Sequence, residues 1–467
     1  MISLRYDEIA AITGGTMFNS STASASCHGV SIDSRTINKG ELFFAIHGER
    51  LDGHEFVDAA IAQGASGIVI ERTWPRRENI SGKVAVITVE NPHQALIALA
   101  QHWLGLVDPR VIGITGSNGK TTTKEYTVAL ARAVEPNTYG SPGNLNNLFG
   151  IPLALLRMPL NTKIAVLEMG ISLPGEMKQL TDIVQPDVAV ITNVGATHLE
   201  FLGSVSVVAR EKVQLIRGAK PGACAIVNAD DHMLMEAVSE LKQPLTTFGI
   251  SNKADIQVDS SELLDDSRTR VVIGGCTFIL TLAGRHHLYN LLAAFGAIKA
   301  LGYDLTGTPT ESVALTTAPM RGQRLEKRGI KIVADCYNAN PDSVRAALMA
   351  FDDNEPGRHI IILGDMLELG ALAVDYHREL GQQLAKAKFD LVMLVGPLSF
   401  HTRDSAIEAG APAHRIQHFS TSAQCAERVM STVTAGDIVL IKGSRGIGLE
   451  KVLDVFNGST EGERVAH

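Results

Sequence analysis

The chain has 467 residues, 45% of them apolar and 20% charged, with a formal net charge of −8. That length exceeds what one hydrophobic core usually organises, so two or three domains are expected, and the acidic balance excludes a general nucleic-acid binder, which draws on clustered Lys and Arg. Five scattered cysteines without a CxxC pair fit reduced thiols, and no signal-peptide pattern or membrane-spanning apolar run is evident, so a cytoplasmic protein without a membrane span is expected.

Near the start, ELFFAI (41–46) and SGIVIE (66–71) read as strands, and GHEFVDAAIAQGA between them has helical periodicity ended by glycine. PHQALIALAQHWLG (92–105) predicts a helix leading into a second unit. From Val111 short apolar runs alternate with helical patterns: VIGIT (111–115), IAVLEM (164–169), VAVITNV (188–194) and CAIVNAD (224–230). Such runs suit a parallel sheet covered on both faces. TRVVIG and CTFILTLAG, inside a turn-rich stretch (251–286), are expected as antiparallel edge strands on that sheet. LYNLLAAFGAIKALG (288–302) has apolar residues at helical spacing. A third series follows: KIVADCY (331–337), HIIILGD (359–365), LVMLVG (391–396) and DIVLIKG (437–443). The last ten residues read as a frayed tail. Three α/β domains are expected, over 1–88, 89–318 and 319–467.

The strongest local signal is VIGITGSNGKTTTKEYTVALARA, an apolar strand running through a glycine-rich turn into a helix. Glycines allow the backbone amides to curve around phosphate oxygens, and the helix N-terminus adds its dipole. Gly116, Ser117, Asn118, Gly119, Lys120, Thr121 and Thr122 are therefore the expected ATP cradle. Lys120 would meet the β and γ phosphates, and the Thr121 hydroxyl would meet Mg²⁺. The general phosphate-loop form has a glycine where this chain carries Ile114. Glu168 follows IAVL and His198 follows VAVITNVGAT, so both emerge near the phosphates if their strands flank the loop strand. A nucleotide site alone does not separate a motor, a kinase, a switch or a ligase.

TGSNGKTTTKE, GNLNNLFGIPLALL, LEMG, NVGATHLEFLG and DCYNANPDS, in that order, resemble the Mur ligases of peptidoglycan synthesis. The resemblance runs from DSRTINKGELFFAIHG to IKGSRGIGLE, nearly the whole chain. It implies an α/β, three-domain Mur ligase architecture, with a central P-loop ATPase-like sheet and a Rossmann-like C-terminal domain. It also implies an ATP-dependent ligase that activates a carboxylate as an acyl phosphate and joins it to an amine. The nearest branch adds D-Ala-D-Ala to UDP-N-acetylmuramoyl-tripeptide; members that add single amino acids are the alternative. Whether the third peptide residue is diaminopimelate or lysine stays open, and a monomer is expected.

The resemblance further implies roles for individual residues. Lys120, His198 and Lys212 would be catalytic, with Thr121, Glu168, His198 and a carbamylated Lys212 around two Mg²⁺ ions. Asn290 would lie beside adenine, and the third domain would bring Arg324, Asp335 and Tyr337 to the nucleotide. Ser34, Arg35, Gly53 and His54 are candidates for the uridine diphosphate. Asn144, Asn146 and Asn147 would meet the sugar–peptide portion, and Asn338 and Asn340 would orient the dipeptide. Gln214 departs from the acidic residue common near the modified lysine.

Overall fold

Apolar runs bounded by turn residues build the chain's sheets, seen in a computed structural model that describes residues 3–18, 22–48, 50–76, 80, 82–264, 268–281, 284–351 and 355–457. The stretch expected to fray (458–467) lies outside the described residues. The first sheet comprises Thr16–Met17 (β1), Val30–Ser31 (β2), Leu42–Phe44 (β3), Gly67–Glu71 (β4) and Ala85–Val89 (β5). Its order is β1-β5-β4-β3-β2, parallel except where β1 meets β5. Helix Val57–Gln63 (α1) joins β3 to β4 and stops at Gly64, whose left-handed backbone closes the helix end.

Helix Pro92–Val107 (α2) carries the chain onward. Asn91 caps it by accepting the His93 and Gln94 amides, and Pro92 presets its first turn. On its buried face Trp103 donates its indole N–H to the Met158 carbonyl at 3.0 Å. One apolar cluster runs from Tyr6 and Leu42 through Trp103 to Leu167 and Val227, so the first and central sheets share a core.

The central sheet holds Arg110–Thr115 (β6), Thr138–Gly140 (β7), Ile164–Glu168 (β8), Val188–Ile191 (β9), Cys224–Asn228 (β10) and Leu245–Phe248 (β11). All pairs are parallel, in the order β11-β10-β9-β6-β8-β7. The order reverses around β6, which makes its carboxyl end the crevice where ligands bind in open α/β sheets. Three helices position the site: Lys120–Val134 (α3), Val205–Arg217 (α4) and Arg285–Ala300 (α5). Ile112 and Ile114 of β6 face the cluster containing α3 and α5, while Val111 faces the opposite one. This alternation explains why β6 is apolar on both faces.

The edge-strand expectation is corrected. Ser260–Leu263 (β12), Thr269–Ile273 (β13) and Cys276–Leu280 (β14) pair with one another as a separate antiparallel sheet. Val271, Ile273, Phe278 and Leu280 form its buried face, and Phe278 meets Phe295 of α5 edge-on at 6.1 Å. β13 and β14 alternate buried and more exposed residues because they cover a helix on one side and face water on the other, whereas β12 is exposed throughout.

The third sheet comprises Gln323–Lys327 (β15), Ile330–Asp335 (β16), His359–Gly364 (β17), Leu391–Val395 (β18), Ile416–Phe419 (β19) and Ile438–Lys442 (β20). Its order is β15-β16-β20-β17-β18-β19, with only β15 antiparallel. Helix Pro341–Ala350 (α6) follows β16. Ala196, Leu199, Leu202 and Val208 of the central unit pack with Ala339, Val344, Met366 and Leu369, so apolar burial docks the third unit on the loop after β9. No helix among the described residues is long and apolar enough to cross a membrane.

Candidate active site

The phosphate loop is stitched to the segment after β9. The Ser117 amide donates to the Asn193 carbonyl at 2.9 Å, and the Asn118 amide to Asn193 Oδ1 at 2.8 Å. The Gly195 amide in turn donates to Ser117 Oγ at 2.8 Å. Two loop amides, those of Ser117 and Asn118, are thus committed to the segment after β9. The donor end that opens on the cavity is the first turn of α3, from Lys120 to Thr122.

Lys120 folds back over its own loop, its Nζ donating to the Gly116 carbonyl at 2.7 Å and the Ser117 carbonyl at 3.3 Å. Burial pushes its pKa down to about 8; Glu168 opposes that shift, and the Arg321 cation adds to it. Glu168 ends β8, fully buried. Its carboxylate accepts Thr121 Oγ1–H at 2.6 Å and Asn146 Nδ2–H at 2.8 Å. Asn290 lies against the loop from α5. It accepts Thr123 Oγ1–H at 3.2 Å, and its Oδ1 sits 2.3 Å from where a Cβ on Gly119 would stand. Gly119, at φ 80°, therefore has both a conformational and a steric reason to be glycine.

His198 stands in the loop after β9, its Nδ1 2.5 Å from Glu368 Oε2 across the seam with the third unit. That pairing holds the Glu368 carboxyl below its usual pKa. Lys212 on α4 is 2% exposed, with no hydrogen-bond or ion-pair partner among the described residues. Burial, and then the nearby Lys120 cation, lower its pKa well below the ordinary lysine value.

Opposite the loop, the ends of β16 and β20 supply Asp335, Tyr337, Asn338 and Lys442. Asp335 accepts Lys442 Nζ–H at 2.7 Å and the Gly322 amide at 3.1 Å. The Arg321 guanidinium lies 3.9 Å from the Tyr337 ring centre, with Arg445 at 5.4 Å. Lys120, Glu168, His198, Asn290, Arg321 and Asp335 line one cavity of about 760 Å³, which also reaches Asn146, Asn147, Tyr337 and Asn338.

Several expected positions are not brought there. Arg324 is exposed on β15, and Arg321 occupies the cavity wall instead. Ser34, Arg35, Gly53, His54 and Asn144 do not line this cavity. His54 is buried with both ring nitrogens engaged: Nδ1 with Asp52 Oδ1 at 2.7 Å, and Nε2 accepting the Glu71 amide at 3.0 Å. Gly53 lets two backbones pass, since a Cβ would stand 2.5 Å from the Ile46 nitrogen. Both residues therefore hold the first unit together. Arg35 pairs with its neighbour Asp33 at 2.7 Å, and Ser34 is buried. Asn147 Oδ1 accepts the Gly150 amide at 2.8 Å and so organises its own turn.

Asn340 lines the cavity as well: its Oδ1 caps α6 by accepting the Ser343 amide at 2.9 Å, and its amide reaches the phosphate loop. Sequence reasoning missed Arg321, His286, His287, Lys442 and Glu368. Arg321 lies three residues from Arg324, and nothing in the local pattern separates them.

Models of known families match the chain along its length. "Mur ligase family, catalytic domain" covers residues 26–104, "Mur ligase middle domain" 114–298, and "Mur ligase, glutamate ligase domain" 320–445. A UDP-N-acetylmuramoyl-tripeptide–D-alanyl-D-alanine ligase of Bacillus subtilis is 35% identical, covering 97% of this chain and 98% of that one. The crystal structure of MurF from Acinetobacter baumannii superposes with a TM-score of 0.84 at 28% identity, over 98% of this chain and 99% of that one. MurF ligase from Thermotoga maritima in complex with ADP gives 0.77 at 30% identity, over 92% and 97%. With a phosphate loop facing a third unit across one cavity, and relatives matched end to end, the chain belongs to the Mur ligase family and is an ATP-dependent ligase forming amide bonds.

Proposed function

We propose that the protein ligates D-Ala-D-Ala to UDP-N-acetylmuramoyl-tripeptide, forming the pentapeptide precursor of peptidoglycan. The observation that carries the chemistry is the single cavity in which Lys120 and Glu168 of the central unit face Arg321 and Asp335 of the third. The choice of substrates is supported by the names of full-length relatives from Bacillus subtilis and Escherichia coli, both D-alanyl-D-alanine ligases.

A carboxylate is a poor acyl donor, and phosphorylation makes it a good one. The substrate carboxylate oxygen bonds to the γ-phosphorus of ATP as the β–γ bridge breaks, leaving ADP and an acyl phosphate. The neutral amine of D-Ala-D-Ala then attacks the carbonyl carbon, loses a proton, and expels phosphate as the acyl–oxygen bond breaks. Both steps move negative charge past the first turn of α3, whose amides are oriented before reaction, and past Lys120, whose Nζ would exchange its loop carbonyls for phosphate oxygens.

The donor set fits Mg²⁺. The Thr121 hydroxyl and Glu168 carboxylate are hard oxygen ligands already within 2.6 Å of each other. No three His, Cys, Asp or Glu residues among the described ones gather to hold a metal by themselves, so phosphate oxygens would complete the shell. His198 and a carbamylated Lys212 would hold a second ion. Bound Mg²⁺ would supply charge neutralisation on the phosphates. Asn146 positions Glu168, and Glu368 orients the His198 ring.

Mass spectrometry of products formed from ATP, Mg²⁺, D-Ala-D-Ala and each UDP-muramoyl tripeptide tests this reading. Pentapeptide product is expected, and the preferred tripeptide identifies the third residue. Faster turnover with a single amino acid than with the dipeptide would reject the substrate assignment. Arg321 and Arg324 give a finer check. Arg321→Ala should slow ligation roughly 10- to 100-fold, the scale of a lost charge-assisted contact, with Arg324→Ala staying within about twofold. The reverse ranking in steady-state assays would return the third-unit cation to β15.

A further inference from the structure

The phosphate loop and the third unit touch through two asparagine side chains 222 residues apart. Asn340 Nδ2–H donates to Asn118 Oδ1 at 2.7 Å, and Asn118 Nδ2–H donates back to Asn340 Oδ1 at 3.3 Å. Each partner is anchored independently. The Asn118 backbone is held on both sides, its amide by Asn193 Oδ1 and its carbonyl by Thr192 Oγ1–H at 2.5 Å and Asn193 Nδ2–H at 3.0 Å. Asn340 is the buried N-cap of α6, closed reciprocally with Ser343.

We propose that Asn118 and Asn340 are a positioning pair through which docking of the third unit sets the phosphate loop for phosphoryl transfer. The proposal rests on the ligase reading above. Asn118 directly precedes Gly119 and Lys120, so a shift of the clasp displaces the lysine that meets the phosphates. Misplacing a reacting group by about 1 Å costs on the order of 100-fold in rate.

The same docked unit grips the loop after β9, to which Ser117 and Asn118 are stitched. Glu368 O accepts the Glu200 amide at 3.0 Å, and Asp342 Oδ2 stands 2.3 Å from where a Cβ on Gly195 would be. Two paths therefore run from the third unit to the phosphate loop, one direct and one through residues 193–200. A neutral amide pair suits a contact that is made and broken. Its bonds are part-buried at the cavity wall, and separation strands no charge. The helix end and lysine that face the nucleotide belong to the central unit, so the clasp acts on the rate of transfer more than on ATP affinity.

The test is steady-state ligation, with ATP dependence and thermal midpoints, for wild type, Asn118→Ala, Asn340→Ser and the double variant. Asn118→Ala leaves every backbone bond in place, and Asn340→Ser retains a hydroxyl able to cap α6. Each single variant is expected to lower kcat roughly 10-fold while KM for ATP moves less than about twofold. The double variant should be no slower than the worse single one, because both remove the same interaction. Unchanged kcat in Asn118→Ala, losses that multiply in the double variant, or a defect confined to KM for ATP would overturn the proposal. Should Asn340→Ser fail to fold, Asn118→Ala decides alone. If wild type ligates an amine other than D-Ala-D-Ala, the substrate reading fails, and the pair is judged by the same ratios with that amine.

Discussion

Lys120→Ala is expected to reduce ligation by at least about 100-fold, the scale set by removing a major electrostatic contact to a charged transition state. The expectation follows from what Nζ does without nucleotide. It donates to two neutral carbonyls of its own loop and forms no ion pair with a carboxylate among the described residues. Exchanging those carbonyls for phosphate oxygens replaces ordinary hydrogen bonds with charge-assisted ones, which are about twice as strong.

The lowered pKa gives the effect a sign with pH. Burial holds Lys120 down to about 8, so raising the pH through that value discharges the free enzyme's lysine. ATP affinity should therefore fall above about pH 8, with proton uptake on binding, and Lys120→Ala should lose that dependence. Calorimetric titration in buffers of differing ionisation enthalpy reads both. Near-normal product formation by a folded Lys120→Ala variant would remove the lysine from the mechanism.

Lys212→Ala is the second substitution expected to be severe, again with a loss of roughly 100-fold or more. A buried ammonium without a carboxylate partner, close to a second lysine, is an unfavourable arrangement, and the pKa of Lys212 falls accordingly. The neutral amine so favoured is the form that reacts with CO₂. Nitrogen bonds to carbon, a proton leaves, and the product carries two carboxylate-like oxygens of the kind Mg²⁺ prefers. Carbamylation would make this position anionic, so that it would attract Lys120 where an ammonium would repel it.

Added short-chain carboxylates should restore part of the activity of Lys212→Ala by supplying the missing oxygens, and should not restore Lys120→Ala. Intact-protein mass measurement of wild type in bicarbonate should show the added CO₂. Normal ligation by Lys212→Ala would refute the metal-site role. Absence of rescue together with a large drop in thermal midpoint would assign the residue to packing instead.

What the sequence determined by itself was local. The strand–glycine turn–helix from Val111 to Val134 is legible because each step depends on neighbouring residues: an apolar run, a glycine at positive φ, and a helix former after it. Helices α2 and α5 were readable from apolar spacing, and Glu168 and His198 from their places after apolar strands. The family likeness rested on several such segments in order.

Tertiary structure alone decided which distant groups meet. Strand order places Glu168 beside Thr121 and Asn146, because β8 is hydrogen-bonded to β6 rather than merely following it in the chain. Docking of the third unit brings Arg321 to the cavity wall and joins Asn340 to Asn118 and Glu368 to His198. Residues 269–280 have strand periodicity, but periodicity does not name a partner, so their separate sheet was not legible. His54 shows the same limit from the other side. Its residue type suits a ligand, but burial between Asp52 and the Glu71 amide uses both nitrogens for packing. The physical reason is common to all of these. Backbone conformation follows from adjacent side chains, whereas hydrogen-bond partners and burial are set by packing between segments the chain brings together only on folding.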